Sequence, residues 1–277
     1  MKKILLPLLS LAFVFLSCEN EPLEGFDLDA TGNTTGGGGS VGGEEVIIGE
    51  PGGESTGDYW PMAAGNKWTY DYSVDGVADE DAIMEISNQE DYLGFPSYLY
   101  SSFFQNSTST DGSTTGDVEL NSYSSKNGGD YHFSVASTNI NVGGFIEITQ
   151  SAYGFIMLKD YLNVGESWTN TYTITTTTEV LIEDLPEVPT TNLNVIYHSE
   201  IMEKDSTVEV NGTSYSPVIK VKATTMYQLA GTPDSSAEYF YYFAKDVGII
   251  KYEGSVFDAD DNITSNVLGE LNDVILN

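Results

Sequence analysis

The sequence predicts an all-β fold, a large curved antiparallel meander of half-barrel form. Three observations carry that reading. From residue 58 onward, short segments rich in Tyr, Val, Ile, Thr and Phe alternate with turn dipeptides. Those dipeptides, Asp75-Gly76, Asp111-Gly112, Asn127-Gly128, Gly143-Gly144 and Asn211-Gly212, supply the positive φ that tight hairpins require. Helical periodicity appears at a single place near the C-terminus. A β-sandwich and a pair of duplicated β half-domains are the alternative architectures.

Taken in order, the candidate strands are 68–74, 82–87, 98–104, 118–123, 131–135, 144–148, 168–177, 193–201, 216–222, 237–244 and 248–254. The clearest hairpin is Thr207-Val208-Glu209-Val210, then Asn211-Gly212, then Thr213-Ser214-Tyr215. Connections of this length join antiparallel neighbours, because a parallel pair needs a crossover of a dozen or more residues. Val267, Leu268, Leu271, Val274 and Ile275 follow a helical spacing behind Ser265, so one short C-terminal helix is expected there, with a last edge strand as the alternative.

An internal echo runs through the domain. Met62-Ala63-Ala64-Gly65-Asn66-Lys67-Trp68-Thr69-Tyr70-Asp71-Tyr72 aligns with Leu162-Asn163-Val164-Gly165-Glu166-Ser167-Trp168-Thr169-Asn170-Thr171-Tyr172 at an offset of 100 residues. In each copy a glycine turn leads into a strand whose Trp and later Tyr share a face. One turn-to-strand device used twice accounts for it, and so does a duplicated half-domain.

Ahead of the domain lie a secretory signal and a tether. Residues 1–17 carry Lys2 and Lys3, then an apolar run too short to span a membrane, ending at the small residue Ser17 before Cys18, the only cysteine. Residues 19–57 hold 12 glycines, 9 acidic residues and no lysine, too little apolar surface to offset the entropy of ordering. They read as a flexible linker with a reach of roughly 30 to 40 Å. The β domain spans 58–277. Gly38-Gly39-Ser40-Val41-Gly42 imitates a hydrolase elbow and residues 37–42 a dinucleotide fingerprint, but a glycine coil offers neither the strand nor the helix that those motifs need.

Charge narrows the partners. Without the signal, 8 Lys face 42 Asp and Glu, 8 − 42 = −34, and the chain has no arginine. Such a field repels phosphate backbones and anionic lipid surfaces, which excludes nucleic acid and electrostatic membrane docking. A lone cysteine excludes an internal disulfide.

No catalytic constellation emerges, and the expectation is a protein that is not an enzyme, with no cofactor and no metal. Alternation in Tyr131-His132-Phe133-Ser134-Val135 places His132 with Asp130 and Ser134 on the wet face. His198 shares a face with Asn194, Ile196 and Glu200, so His132, Asp130, His198 and Glu200 make a metal set only on neighbouring strands. Asp258-Ala259-Asp260-Asp261-Asn262 starts like a calcium loop, then places Ile263 at the glycine position, and an acidic hairpin turn is the better reading. In the run 239–243, Tyr239, Tyr241 and Phe243 share one face and form the candidate ligand-binding row, while Phe240 and Tyr242 share the other.

Several stretches resemble known families. Phe15-Leu16-Ser17-Cys18 resembles the lipobox of bacterial lipoproteins, which implies lipidation at Cys18. Glu19, Glu21 and Glu24 resemble the acidic export signals of Bacteroidota lipoproteins, which implies the outer membrane and its cell-surface face, with the periplasmic face as alternative. Asp205-Ser206-Thr207 is similar to the short O-glycosylation signal of that group. Tyr59-Trp60-Pro61, Gly65-Asn66-Lys67-Trp68-Thr69-Tyr70 and Tyr242-Phe243-Ala244-Lys245-Asp246-Val247-Gly248-Ile249-Ile250-Lys251 resemble the bracketing motifs of β-rich lipoproteins of Bacteroidota, themselves similar in pattern to the LolA-like class. That class wraps a curved sheet around an apolar concave face, and the lipoprotein group implies no catalytic residues. The expectation is an envelope-anchored, non-enzymatic binding module for an apolar or glycan ligand; a structural or assembly component of the surface is the alternative and a hydrolase the third reading.

Overall fold

The computed structural model describes residues 51–106, 121–181 and 188–277. The signal, Cys18, the tether up to residue 50, the Asp111-Gly112 turn and the start of the 118–123 strand lie outside the described residues. The described residues form strands and no helix: β1 (Lys67–Val74), β2 (Val77–Ala78), β3 (Ala82–Tyr92), β4 (Phe95–Asn106), β5 (Ser122–Asn127), β6 (Asp130–Val135), β7 (Thr138–Val142), β8 (Ile146–Gln150), β9 (Tyr153–Lys159), β10 (Ser167–Val180), β11 (Thr191–Val210), β12 (Thr213–Leu229), β13 (Ser235–Ala244), β14 (Gly248–Phe257) and β15 (Ile263–Ile275).

All belong to one antiparallel curved sheet, in the order β7-β8-β10-β11-β12-β13-β14-β15-β1-β3-β4-β5-β6-β9, with β2 paired to β1. Its two longest meanders are β10 to β15 and β1-β3-β4-β5-β6-β9, joined where β15 pairs β1 from Lys67↔Ile275 to Val74↔Val267. The turns form as the dipeptides require: Asp75 and Gly76 have φ of 51° and 75°, and Asn211 and Gly212 have 48° and 77°.

The expected C-terminal helix is not formed. Residues 263–275 make β15, paired on one side with β14 and on the other with β1. Tertiary pairing on both edges outweighs a helical spacing that Gly269 already weakened.

The sheet stops short of a closed barrel. Its end strand β9 runs beside the first half of β10, yet side chains replace the ladder there: the Ile156 N–H donates to Asn170 Oδ1 (3.1 Å), and the Ile156 carbonyl accepts from Trp168 Nε1 (2.9 Å). Further along, β10 pairs β8 instead, from Thr176↔Gln150 to Val180↔Ile146.

The echo in the sequence is a repeat in structure. Gly65 N donates to the Ile86 carbonyl and Gly165 N to the Ile201 carbonyl, both at 2.8 Å, and the Ile86 and Ile201 amides return bonds to Asn66 and Glu166. Gly65 and Gly165 have φ of 86° and 84°. Trp68 and Trp168, buried three residues later, each donate the indole N–H to a carbonyl, of Val247 and Ile156.

Burial differs between the two ends of the sheet. At the end where β10 and β14 begin, Trp60, Trp68, Tyr70, Phe243, Ile249, Ile250 and Ile201 are fully buried. Two segments cover that end. One is 51–61: Ser55 Oγ donates to Asp160 Oδ2 (2.6 Å), Thr56 N to Asp160 Oδ1, and the Tyr131 hydroxyl to the Gly57 carbonyl. Residues 51–57, which composition assigns to the tether, are thus held against the domain. The other is the tip of the β11–β12 hairpin, where Asn211 Nδ2 donates to Asp71 Oδ2 of β1 and to the Leu271 carbonyl of β15, four and three strands beyond β12. At the opposite end the inward residues Val74, Tyr172, Ile174, Tyr227, Tyr239 and Val256 are only half-buried. The sheet is closed by apolar packing at one end and accessible at the other.

Candidate functional site

Period-2 alternation brings a set of tyrosines onto the inward face of the accessible end: Tyr72 of β1, Tyr153 of β9, Tyr172 of β10, Tyr197 of β11, Tyr227 of β12, Tyr239 and Tyr241 of β13 and Tyr252 of β14. Two glycines shape it. Tyr239 pairs directly with Gly254, and Tyr252 with Gly269. Each ring lies over its glycine, where a Cβ would run into it. The rings are ordered against one another: Tyr153 stacks on Tyr172 at 5.4 Å and 6°, Phe155 on Tyr172 at 6.0 Å and 8°, and Tyr239 on Tyr241 at 5.9 Å and 17°.

The electrostatics of this end are uniform. At this end the inward positions of β10 to β13, and of β1, carry no Lys, Asp or Glu, although the whole chain has a net charge of −32. Burial pushes the phenol of Tyr153 up to about 12, and burial followed by the phenols of Tyr239 and Tyr153 brings Tyr227 to about 12. Burial and then the phenols of Tyr197, Tyr239, Tyr227 and Tyr252 hold Tyr241 well above the usual tyrosine range. Tyr241 thus has phenols within electrostatic range, Tyr239 stacked on it, and keeps some accessible surface.

Two of these phenols lack the partner that burial demands. Tyr252 is 5% and Tyr197 4% exposed. The Tyr252 hydroxyl has no protein partner, and the Tyr197 hydroxyl has only the Ser199 hydroxyl beside it, itself without a bond of standard geometry. A buried hydroxyl left unpaired costs about 1 to 3 kcal/mol. By contrast, the Tyr70 hydroxyl at the closed end donates to the Ile249 carbonyl at 2.8 Å.

Of the candidate ligand-binding row, Tyr239 and Tyr241 sit at the accessible end, while Phe243 is fully buried at the closed end, 6.4 Å from the Trp60 ring. Tyr72, Tyr172, Tyr197, Tyr227 and Tyr252 escaped the sequence reading. Their alternation was visible; which strands lie opposite them was not.

The histidines are apart. His132 is not on a wet face: it pairs with Ser125 and Ile156, and burial and then the Lys159 ammonium push its pKa down to about 4. The face expected to be wet is largely covered: Asp130 and Ser134 are buried and His132 is partly buried. His198 is exposed on β11, its Nδ1 2.9 Å from Thr169 Oγ1. β9 and β10 lie between the two histidine strands, so the metal set is not assembled, and no group of three metal-ligating side chains occurs among the described residues. Asp258 closes a turn instead, its Oδ1 accepting from the Asp260 and Asn262 amides at 3.0 and 2.9 Å.

The outer face of β13 to β15 has a shallow concavity of about 360 Å³ beside Phe240. Its polar groups are already paired, Glu238 with Lys222 (2.6 Å), Glu253 with the Tyr242 hydroxyl (2.7 Å) and Ser255 with Asn266 (2.7 Å). Lys220 stands 4.8 Å over the Phe240 ring.

No family model matches the chain, and no curated protein does. Two solved structures are similar to it. One is a candidate lipoprotein from Parabacteroides distasonis, matched over 79% of this chain and 100% of its own at 11% identity, with a TM-score of 0.44. The other is a candidate exported protein with a YmcC-like fold from Bacteroides fragilis, matched over 78% of this chain and 98% of its own at 11% identity, with a TM-score of 0.43.

Proposed function

We propose that this chain is an envelope lipoprotein, held through Cys18 at the outer membrane and exposed at the cell surface, whose β domain binds a ligand of the apolar or glycan class without catalysis. The observation that carries the binding reading is the gradient along β13, from Phe243 fully buried to Tyr241 and Tyr239 only partly buried, beside the unsatisfied phenols of Tyr197 and Tyr252. An aromatic inward face of a curved sheet with few polar groups suits a small ligand better than a flat partner surface does. The absence of catalysis is supported by the separation of His132 from His198 and by their surroundings, one partly buried with its pKa pushed down to about 4, the other hydrogen-bonded to Thr169.

The test uses soluble protein with Cys18→Ser and octyl β-D-glucoside below its micellar concentration, since that amphiphile presents both ligand chemistries. Saturable one-to-one binding by calorimetry is expected, weakened about tenfold or more by Tyr239→Ala and unchanged by Phe240→Ala on the outer face. Equal losses from both variants, or no saturable binding, would overturn the reading.

A further inference from the structure

The hydroxyl inventory of the tyrosine end says more than that a ligand binds there; it says what kind. Tyr197 and Tyr252 are at least nine-tenths buried and present O–H donors that no backbone or side-chain group accepts, apart from the Ser199 hydroxyl beside Tyr197. Both stand on the inward face, and Tyr241 lies within electrostatic reach of both and of Tyr227 and Tyr239. At the tyrosine end, no cation and no carboxylate stands among the inward residues of β10 to β13 or of β1; Lys204 of β11 is inward only at the closed end, bonded to the Asp160 and Leu162 carbonyls.

Resting on the binding reading above, we propose that the ligand is an uncharged, acceptor-rich molecule of the polyol or carbohydrate class, read by the hydroxyls of Tyr197 and Tyr252. A purely apolar ligand would seal these donors away from water without a partner, which disfavours it. An anion would enter a chain of net charge −32 with no cation to meet it. A cation would gain from the ring faces but would leave the O–H donors unanswered. A neutral polyol supplies acceptors to the hydroxyls and apolar C–H faces to the rings.

The experiment compares three probes with one chain and different heads: octyl β-D-glucoside, octanoate and octylammonium, titrated into the soluble Cys18→Ser protein. The glucoside is expected to bind at least tenfold tighter than either ion. Tyr197→Phe and Tyr252→Phe should each weaken the glucoside about tenfold and leave the two ions within twofold. Thermal unfolding guards against misfolding: because Tyr252→Phe removes an unsatisfied hydroxyl, its melting temperature should equal or exceed that of the parent. An ion that binds as well as the glucoside, or a Phe variant that binds the glucoside unchanged, would overturn the ligand class while leaving the binding reading intact. If none of the three probes binds, the binding reading falls and this inference with it.

Discussion

At the scale of single residues, burial decides chemistry more than residue type does. His132 is the clearest case. Its pKa of about 4 in the folded protein stands below the ordinary value near 6.5, because burial and then the Lys159 ammonium disfavour the imidazolium. The unfolded chain then binds more protons between those two values, so stability is complete above pH 6.5 and declines as the pH falls toward 4. The loss has an upper limit on the order of 3 kcal/mol. Asp130, raised by burial against the pull of Lys159, acts in the opposite sense, so the wild type must be read against a variant. Denaturant unfolding at pH 7.5 and pH 4.5 should show a smaller difference for His132→Gln than for the wild type, and equal differences would refute a buried neutral imidazole.

At the scale of elements, the glycines of the two repeat turns and those beneath the rings do different work. Gly165 has φ of 84° and open space around its Cβ position, so Gly165→Ala brings backbone strain alone, about 1 kcal/mol. Gly269 instead lies under the Tyr252 ring, and a Cβ there would force the ring off the sheet. Gly269→Ala is expected to cost about 2 to 3 kcal/mol as overpacking. Urea unfolding of both variants separates the two, and a Gly269→Ala cost no larger than that of Gly165→Ala would mean that the ring moves freely. The seam belongs to this scale too. Where β15 meets β1 a backbone ladder joins the meanders, whereas β9 meets β10 through Asn170 and Trp168 side chains; at the matching repeat position Tyr70 fills the core.

For the whole molecule, charge and tether work together. With a net charge of −32 the chain is repelled by anionic lipid, so the attachment proposed above would rest on acyl chains at Cys18 and not on a charged surface of the sheet. Cys18→Ser should therefore move the protein from the membrane fraction to the soluble fraction, read by immunoblot after fractionation. Retention of the variant with the membranes would remove the basis of the anchoring reading. Residues 51–61 lie across the closed end, on the side of the sheet away from the tyrosine end.

The sequence by itself determined what local physics controls. Period-2 alternation and turn dipeptides gave most of the strands, among them the hairpin at Asn211-Gly212, and the Gly-x-x-Trp echo marked two turns that prove hydrogen-bonded alike. Alternation also placed Tyr239, Tyr241 and Phe243 on one face. The tertiary structure decided everything that depends on which distant strands become neighbours: β15 between β14 and β1 in place of a helix, His132 partly covered with Asp130 and Ser134 buried beside it, Phe243 assigned to the closed end, and Gly254 and Gly269 opposite the tyrosines that need them. The reason is that alternation fixes which way a side chain points within its own strand, whereas its burial and its partners come from contacts with strands tens to hundreds of residues away.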